Sequence, residues 1–236
     1  MDFLHVRLHA PAHSLPALAD FYGVRLGMER LEQADDLVAV RVGETRLEFV
    51  PSAASPFYHF ALLAPGNRFG ELLDWAEERV ELLPDMDSDE VVFDFSDWGA
   101  QAFYFDDPAG NIVEAIVHRG LGETSAKGSF AAEELLGFSE LGLVGDTAAM
   151  AELLVFHLGL ELWDGTVEHE GRLAFVGEPA KTLILCPEGR RWLPTGRPAE
   201  PHPVEVVLSG PPEGQALIRD SLYRIRREMA NDLAAQ

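Results

Sequence analysis

Two similar segments near the N-terminus alternate apolar and polar residues with the period of a β-strand. Residues 3–11 read FLHVRLHAP, and residues 57–65 read FYHFALLAP. When the two are aligned, a phenylalanine, a histidine, a leucine and an Ala-Pro pair coincide, so that His5 corresponds to His59. One face of the first segment is apolar and consists of Leu4, Val6 and Leu8. The other face is polar and consists of His5, Arg7 and His9. The chain therefore contains an internal repeat with a histidine on its first strand.

A helical pattern and three strand-like runs follow the first segment. Ser14 can cap a helix that ends near Gly27. Its apolar stripe has the spacing of one helix face and consists of Leu15, Leu18, Tyr22 and Leu26. The three runs that alternate with period two are residues 28–32, 37–42 and 45–50. One unit is thus predicted to be a strand, a helix and three strands.

The second segment begins a unit of the same order. It predicts a strand over 57–64 and a helix over 67–80. Three further strands are predicted over 80–83, 90–95 and 100–105. The turn sequence DPAGN at 107–111 then leads into a strand over 112–118.

Two weaker copies occupy the second half of the chain. Gly, Ser, Thr and Ala dominate residues 120–127 and predict a linker. The third copy begins at Phe138, with a helix predicted from an Asp146 cap to Gly159, then strands near 160–163, 173–176 and 182–186. The fourth copy predicts a strand over 204–208 and a helix over 214–233. Since the chain ends there, three strands of the fourth copy are expected to be missing.

Composition limits the classes of partner. The 236 residues are enough for one large or two modest domains. A formal net charge of −22 argues against nucleic acid and anionic membranes, which bind clustered Lys and Arg. A single cysteine, Cys186, excludes an internal disulfide, and no apolar run approaches the roughly 20 residues of a membrane span. The N-terminus lacks the features of a signal peptide, so a cytoplasmic location is predicted.

Each of the first two units offers a histidine on its first strand and a glutamate on its last. The glutamates are Glu48 and Glu114. Strand alternation places all four side chains opposite the apolar residues that pack under the helices. Two imidazoles and two carboxylates suit a divalent metal, namely Zn, Ni, Co, Mn or Fe(II). Any one of them taken alone is better explained as a structural residue.

Four other residues are pocket candidates. Arg7 and His9 share a strand face with His5 and either line a cavity or cap its rim. Phe103 and Phe105 are candidates for a pocket wall, with plain core as the alternative.

The repeated unit, with DFYGVRLGM at 20–28 and FYFDDPAGNIVEAI at 103–116, resembles the vicinal oxygen chelate superfamily. This superfamily includes glyoxalases, extradiol ring-cleaving dioxygenases and bleomycin resistance proteins. The resemblance is strong over 1–119 and weaker over 137–210. It implies an α+β fold in which paired βαβββ modules form U-shaped mixed sheets. The implied domains are a complete pair at 1–119, a linker at 120–136 and a truncated, degenerate pair at 137–236.

The resemblance also implies a ligand set. The residues that fall on the four ligand positions of the family are His5, Glu48, His59 and Glu114. In the third and fourth copies the matching positions are Glu140, Ile184 and Glu205, so the C-terminal part is expected to lack a metal site of its own. The His/Glu/His/Glu set is similar to that of lactoylglutathione lyases.

The implied function is a metal-dependent lyase or isomerase. The metal would bind two adjacent oxygens of a small-molecule substrate and stabilise an enediolate, while Glu114, or alternatively Glu48, moves the proton. No set of glutathione-binding residues is evident.

Two alternatives stay open. The first is an Fe(II) extradiol dioxygenase that uses His5, His59 and Glu114. The second is a metal-free protein that sequesters a small molecule. The resemblance leaves open a homodimer, or a monomer in which the C-terminal part takes the place of the partner.

Overall fold

A computed structural model describes residues 1–169 and 171–229 of the chain. The helices in these ranges are α1 (Leu15–Asp20), α2 (Phe69–Glu77) and α3 (Thr147–Leu158). None of them is long and apolar enough to cross a bilayer. The helix α1 continues as a π-helical turn, Phe21–Arg25, and Gly27 then takes a positive φ of 79°. The predicted end of the first helix near Gly27 is therefore confirmed.

The strands follow the four copies of the repeat. Those of the first copy are β1 (Phe3–Pro11), β2 (Arg30–Ala34), β3 (Leu37–Val42) and β4 (Thr45–Ser52). Those of the second are β5 (His59–Ala64), β6 (Phe93–Phe95), β7 (Ala100–Asp106) and β8 (Ile112–His118). Those of the third are β9 (Gly137–Val144), β10 (Leu162–Gly165), β11 (Ala174–Glu178) and β12 (Lys181–Cys186). Those of the fourth are β13 (Val204–Ser209), β14 (Gly214–Ile218) and β15 (Tyr223–Glu228).

The strands form two mixed sheets, and each sheet joins two copies of the repeat. The first sheet has seven strands in the order β14-β15-β13-β1-β4-β3-β2. The second has eight in the order β10-β11-β12-β9-β5-β8-β7-β6. The predicted α+β fold of paired modules is confirmed.

The partners of the modules differ from the prediction. The first module pairs with the fourth, through antiparallel β1 and β13, and the second pairs with the third, through antiparallel β5 and β9. The prediction that the first and second modules share a sheet is wrong. Each sheet takes strands from both sides of the predicted linker at 120–136, so residues 1–119 do not complete a sheet by themselves. Strand alternation specifies which face of a strand is buried and leaves open which neighbour occupies its edge.

The fourth module contains strands where a helix was predicted. The helix predicted over 214–233 is wrong, because β14 and β15 occupy 214–218 and 223–228 as an antiparallel pair. Ala216 and Ile218 on β14, and Tyr223 and Ile225 on β15, are buried on one side of this pair, which is the period of a strand. The tail of the predicted helix at 230–233 lies outside the described residues. Two of the three strands expected to be missing are therefore present.

The second module also differs in detail. The helix α2 is shorter than the predicted 67–80, and residues 80–83 contribute only an isolated bridge between Leu82 and Phe105. The third helix agrees with the prediction: the Asp146 side chain accepts a hydrogen bond from the Ala149 amide at 3.0 Å, and Gly159 ends the helix with a φ of 60°.

A buried turn fixes the start of β8 against β5. The side chain of Asn111 accepts a hydrogen bond from the Tyr58 amide at 2.9 Å and donates one to Asp107 at 2.8 Å. Asp107 also accepts from the Tyr22 hydroxyl at 2.9 Å, which ties the turn to the first module. Because β5 and β8 begin directly after these contacts, the turn sets the register of the two strands.

The substitution Asn111→Ala is expected to lower the free energy of unfolding by about 3 kcal/mol, because it leaves the buried Tyr58 amide without a partner and removes one of the two side-chain hydrogen bonds to Asp107. Urea denaturation followed by circular dichroism measures this. The control is Asn67→Ala, which removes hydrogen bonds to Thr124 at an exposed site and is expected to cost less than about 1 kcal/mol. Equal losses for both variants would contradict a special role for the turn.

Candidate metal centre

The four predicted ligands are divided between the two sheets. His5 and Glu48 lie on β1 and β4 of the first sheet, and His59 and Glu114 lie on β5 and β8 of the second. The prediction that all four side chains converge is therefore wrong, since it required the first two modules to share a sheet. Each pair nevertheless lies together on its own sheet.

On the second sheet, Glu140 of β9 joins His59 and Glu114. Each residue offers one ligand atom, and these three atoms all lie within 4.8 Å of one another. The distance between His59 Nε2 and Glu114 Oε2 is 3.5 Å. All three residues are buried: the exposed fraction is 6% for His59, 2% for Glu114 and 4% for Glu140. This is the only such cluster of metal-ligating side chains found in residues 1–169 and 171–229.

The strand register brings these three side chains together. Ala61 on β5 lies opposite Glu114 on one neighbouring strand and opposite Glu140 on the other. The small Ala61 side chain leaves room between the two carboxylates. His59 lies two residues before Ala61 and so on the same face. Its Nδ1 is 3.2 Å from the Ile112 carbonyl, an arrangement that leaves Nε2 facing the carboxylates.

Sequence reasoning missed Glu140 as a ligand of this site. Glu140 is the counterpart of the repeat histidine in the third copy, where the sequence predicts no separate metal site. Glu140 nevertheless lies beside His59 and Glu114 on the second sheet. The counterpart of Glu114 in the third module is Ile184, which cannot bind a metal, so the cluster offers three candidate ligands.

Burial controls the charges of the cluster. It lowers the pKa of His59 to about 4, which keeps the imidazole neutral at neutral pH and available as a ligand. It raises the pKa of Glu140 to about 7. Burial and the nearby Glu140 raise the pKa of Glu114 well above its usual value, against a hydrogen bond with Tyr104 that acts to lower it. Two buried carboxylates that repel each other are stabilised by a bound cation.

Aromatic residues form the walls around the cluster. A cavity of about 110 Å³ is lined by the three residues and by side chains that include Phe95, Trp98, Tyr104, Phe175, Ile184 and Trp192. The Trp192 ring centroid is 4.9 Å from that of His59. Arg190 also lines this cavity and has no acidic partner within 4.0 Å among the described residues. The site is therefore largely apolar, with one cationic group at its wall.

Phe103 and Phe105 do not line this cavity. They are fully buried in the main hydrophobic core, where the ring centroid of Phe103 is 6.2 Å from that of Phe69 and that of Phe105 is 6.1 Å from that of Phe21. Tyr104, which lies between them in the sequence, points to the opposite face of β7 and contributes to the cavity. The interpretation of the two phenylalanines as pocket walls is wrong, because strand alternation directs them away from the site.

The residues of the second sheet fit a divalent metal. Oε1 of Glu140 is buried and has no hydrogen-bond partner, which is a costly state for a carboxylate oxygen that a cation would relieve. One neutral imidazole and two carboxylates are a common ligand set for Zn, Mn, Co, Ni and Fe(II).

On the first sheet, the glutamate that corresponds to Glu114 is paired with two arginines. Glu48 accepts from Arg7 Nε at 2.7 Å and from Arg46 Nε at 2.5 Å, and its Oε2 lies 2.9 Å from His5 Nε2. Burial acts to raise the pKa of Glu48, but contacts with His5, Arg46 and Arg7 outweigh it and hold the pKa well below its usual range. Both oxygens of this carboxylate are engaged by guanidinium groups. A metal ion at Glu48 would have to displace them.

The two other pocket candidates lie on this same face. Arg7 and His5 line a cavity of about 300 Å³ on the first sheet. His9 lies further along β1 and is not among the residues that line it; its amide donates to the Tyr58 hydroxyl at 3.1 Å.

Comparisons with known proteins support the fold. A crystal structure of a putative dioxygenase from Bacillus subtilis subsp. subtilis str. 168 aligns with a TM-score of 0.60 and 17% identity, over 96% of this chain and 85% of that chain. A mutant of glyoxalase I from Zea mays aligns with a TM-score of 0.56 and 13% identity, over 99% of this chain and 94% of that chain. No protein-family model and no curated protein matches the sequence. The chain has the vicinal oxygen chelate fold.

Proposed function

We propose that the protein is a divalent-metal-dependent lyase or isomerase of the glyoxalase type, which acts on a small substrate with adjacent oxygen atoms. The observation that carries this proposal is the buried cluster of His59, Glu114 and Glu140, with its unpartnered Glu140 oxygen. A protein that only sequesters an apolar molecule has no need of two buried carboxylates, whose burial is costly without a cation.

The residues of the site have distinct roles in this proposal. His59, Glu114 and Glu140 would hold a divalent ion, which when bound would supply Lewis-acid stabilisation of negative charge on substrate oxygen. Glu114 would move the proton, since it lines the cavity and burial raises its pKa well above the usual value for a carboxyl group. Glu48 is unsuited to that role, because it lies on the other sheet and is paired with two arginines. Tyr104, which lies opposite Glu114 in the sheet register, would orient that carboxylate.

The walls of the cavity limit the substrate. Aromatic side chains such as Trp192 and Phe175 exclude water, and a volume of about 110 Å³ admits a small molecule. Arg190 would attract an anionic group of the substrate, such as a carboxylate.

The ligand set favours this reaction over ring cleavage. Extradiol-type Fe(II) sites use two histidines and one carboxylate. The cluster on the second sheet has one histidine and two carboxylates, and His5 lies on the other sheet. The donor set therefore suits non-redox chemistry at the metal better than oxygen activation.

Metal titration tests the site. The wild-type protein, stripped with a chelator, is expected to bind about one Zn²⁺ or Mn²⁺ in isothermal titration calorimetry. His59→Ala is expected to weaken binding more than about 100-fold, because a direct ligand is lost and two unpaired carboxylates remain. His5→Ala, at the matching position of the repeat, is the control and is expected to bind as the wild type does. Weakening by His5→Ala and not by His59→Ala would overturn the assignment.

Activity assays then test the reaction. The metal-loaded protein is assayed with a panel of hemithioacetals and α-hydroxycarbonyl compounds, and separately with catechols after anaerobic Fe(II) loading. Conversion without oxygen uptake that disappears in Glu114→Gln supports the lyase or isomerase. Oxygen uptake with a catechol would instead establish a dioxygenase.

A further inference from the structure

The first sheet repeats the ligand cluster of the second sheet in altered form. On the first sheet Arg7 lies opposite Glu48 on one neighbouring strand and opposite Glu205 on the other. On the second sheet, Ala61 lies opposite Glu114 and Glu140 in the same way. The first sheet therefore has the set His5, Glu48 and Glu205. The equivalent residues of the second sheet are, in the same order, His59, Glu114 and Glu140.

Arg7 takes the place of the metal in this equivalent position. Its Nε lies 2.7 Å from Glu48 Oε2, and its Nη1 lies 3.6 Å from Glu205 Oε2. The guanidinium therefore bridges the same two carboxylate positions that a cation would join on the second sheet. The chain itself supplies the positive charge here, so the concave face of the first sheet has no need of a metal.

The same face carries two more arginines on β15. Arg224 lies next to Glu205 in the sheet register, and Arg226 lies next to Val207. Arg226 is 2.9 Å from Glu228, whereas Arg224 has no acidic partner within 4.0 Å in the described part of the chain. Strand alternation points both side chains to the face that carries Arg7.

These groups enclose a cavity with a positive lining. Its volume is about 300 Å³, and its charged lining residues are three arginines and one glutamate: Arg7, Arg224, Arg226 and Glu205. His5 and Gln215 add two further polar side chains. In a chain with a formal net charge of −22, a cavity with this lining is a local exception. Guanidinium groups recognise carboxylate and phosphate groups through paired hydrogen bonds.

We propose that the concave face of the first sheet binds a small anion through a carboxylate or phosphate group, with Arg224 and Arg226 as its principal donors. This is a second ligand site, separate from the metal centre on the other sheet. It does not depend on the reaction proposed for that centre.

Calorimetric titration of the metal-free protein with succinate and with inorganic phosphate tests the site. Chloride at matched ionic strength is the reference. Saturable binding of at least one probe is expected, and Arg224→Gln is expected to weaken it about tenfold, because a charge-assisted hydrogen bond is lost. The probe that binds more tightly identifies the group that is recognised.

Two matched variants locate the bound anion. Arg119→Gln removes one exposed positive charge elsewhere and is expected to leave binding unchanged; thermal melts show that each variant is folded. Arg190→Gln removes the cation at the wall of the other cavity, and Arg224→Gln is expected to weaken binding about tenfold in this background as well. No binding beyond chloride, equal weakening by Arg119→Gln, or weakening by Arg190→Gln alone would each overturn the proposal.

Discussion

Glu140→Gln is expected to weaken metal binding strongly and, in the metal-free protein, to raise stability at pH 8. The substitution removes a negatively charged ligand, so the affinity for Zn²⁺ should fall more than about 100-fold. It also removes a buried charge. Because burial raises the pKa of Glu140 from 4.5 to about 7, the folded protein holds more protons than the unfolded chain in that interval.

The sign of the pH dependence follows from this difference. Stability of the metal-free wild type falls as the pH rises from 4.5 to 7, and at pH 8 the full cost of the ionised carboxylate is present. Glutamine carries no such cost, so the gain in the free energy of unfolding at pH 8 is about 3 kcal/mol and is small at pH 4.5.

Urea denaturation of the chelator-treated proteins at both pH values measures the gain. Glu205→Gln, at the equivalent position of the first sheet, is the matched control and is expected to change stability by less than about 0.5 kcal/mol. A variant that still bound Zn²⁺ normally, or whose stability depended on pH as the wild type does, would show that Glu140 is not part of a buried metal-binding pair.

Removal of the arginines from the first sheet is expected to create a second metal site. Arg7→Ala combined with Arg46→Ile gives Glu48 the same neighbours that Glu114 has, since Ala61 and Ile112 hold the equivalent positions. His5, Glu48 and Glu205 would then face one another without a built-in cation, and an added divalent ion would replace the lost positive charge.

The test uses a His59→Ala background, in which the original site is disabled. The parent is expected to bind no Zn²⁺ in equilibrium dialysis, and the variant about one ion, more weakly than the natural site because Glu205 is 47% exposed. Arg7→Lys with Arg46→Ile keeps a cation between the carboxylates and is expected to bind none. Failure of the folded Arg7→Ala variant to bind would contradict the equivalence of the two clusters.

The sequence predicted the second module and its two candidate ligands, His59 and Glu114, through local chemistry. Alternation along residues 57–64 places His59 on the polar face, and the turn at 107–111 sets the register that brings Glu114 beside it. Both features depend on neighbours within one module. The same reasoning failed at 214–228, where the apolar residues fit both a helical and a strand spacing. Pairing of β15 with β13 selects the strand.

What the sequence by itself determined is the repeated βαβββ unit and the polar residues that each first and last strand directs to one face. What only the tertiary structure decided is which modules share a sheet, and with it that Glu140 rather than His5 completes the cluster of His59 and Glu114. The physical reason is that the outer edge of β1 and that of β5 offer the same backbone hydrogen-bonding groups, so either could pair with any strand of suitable alternation. Packing of all four modules in one core selects the partners.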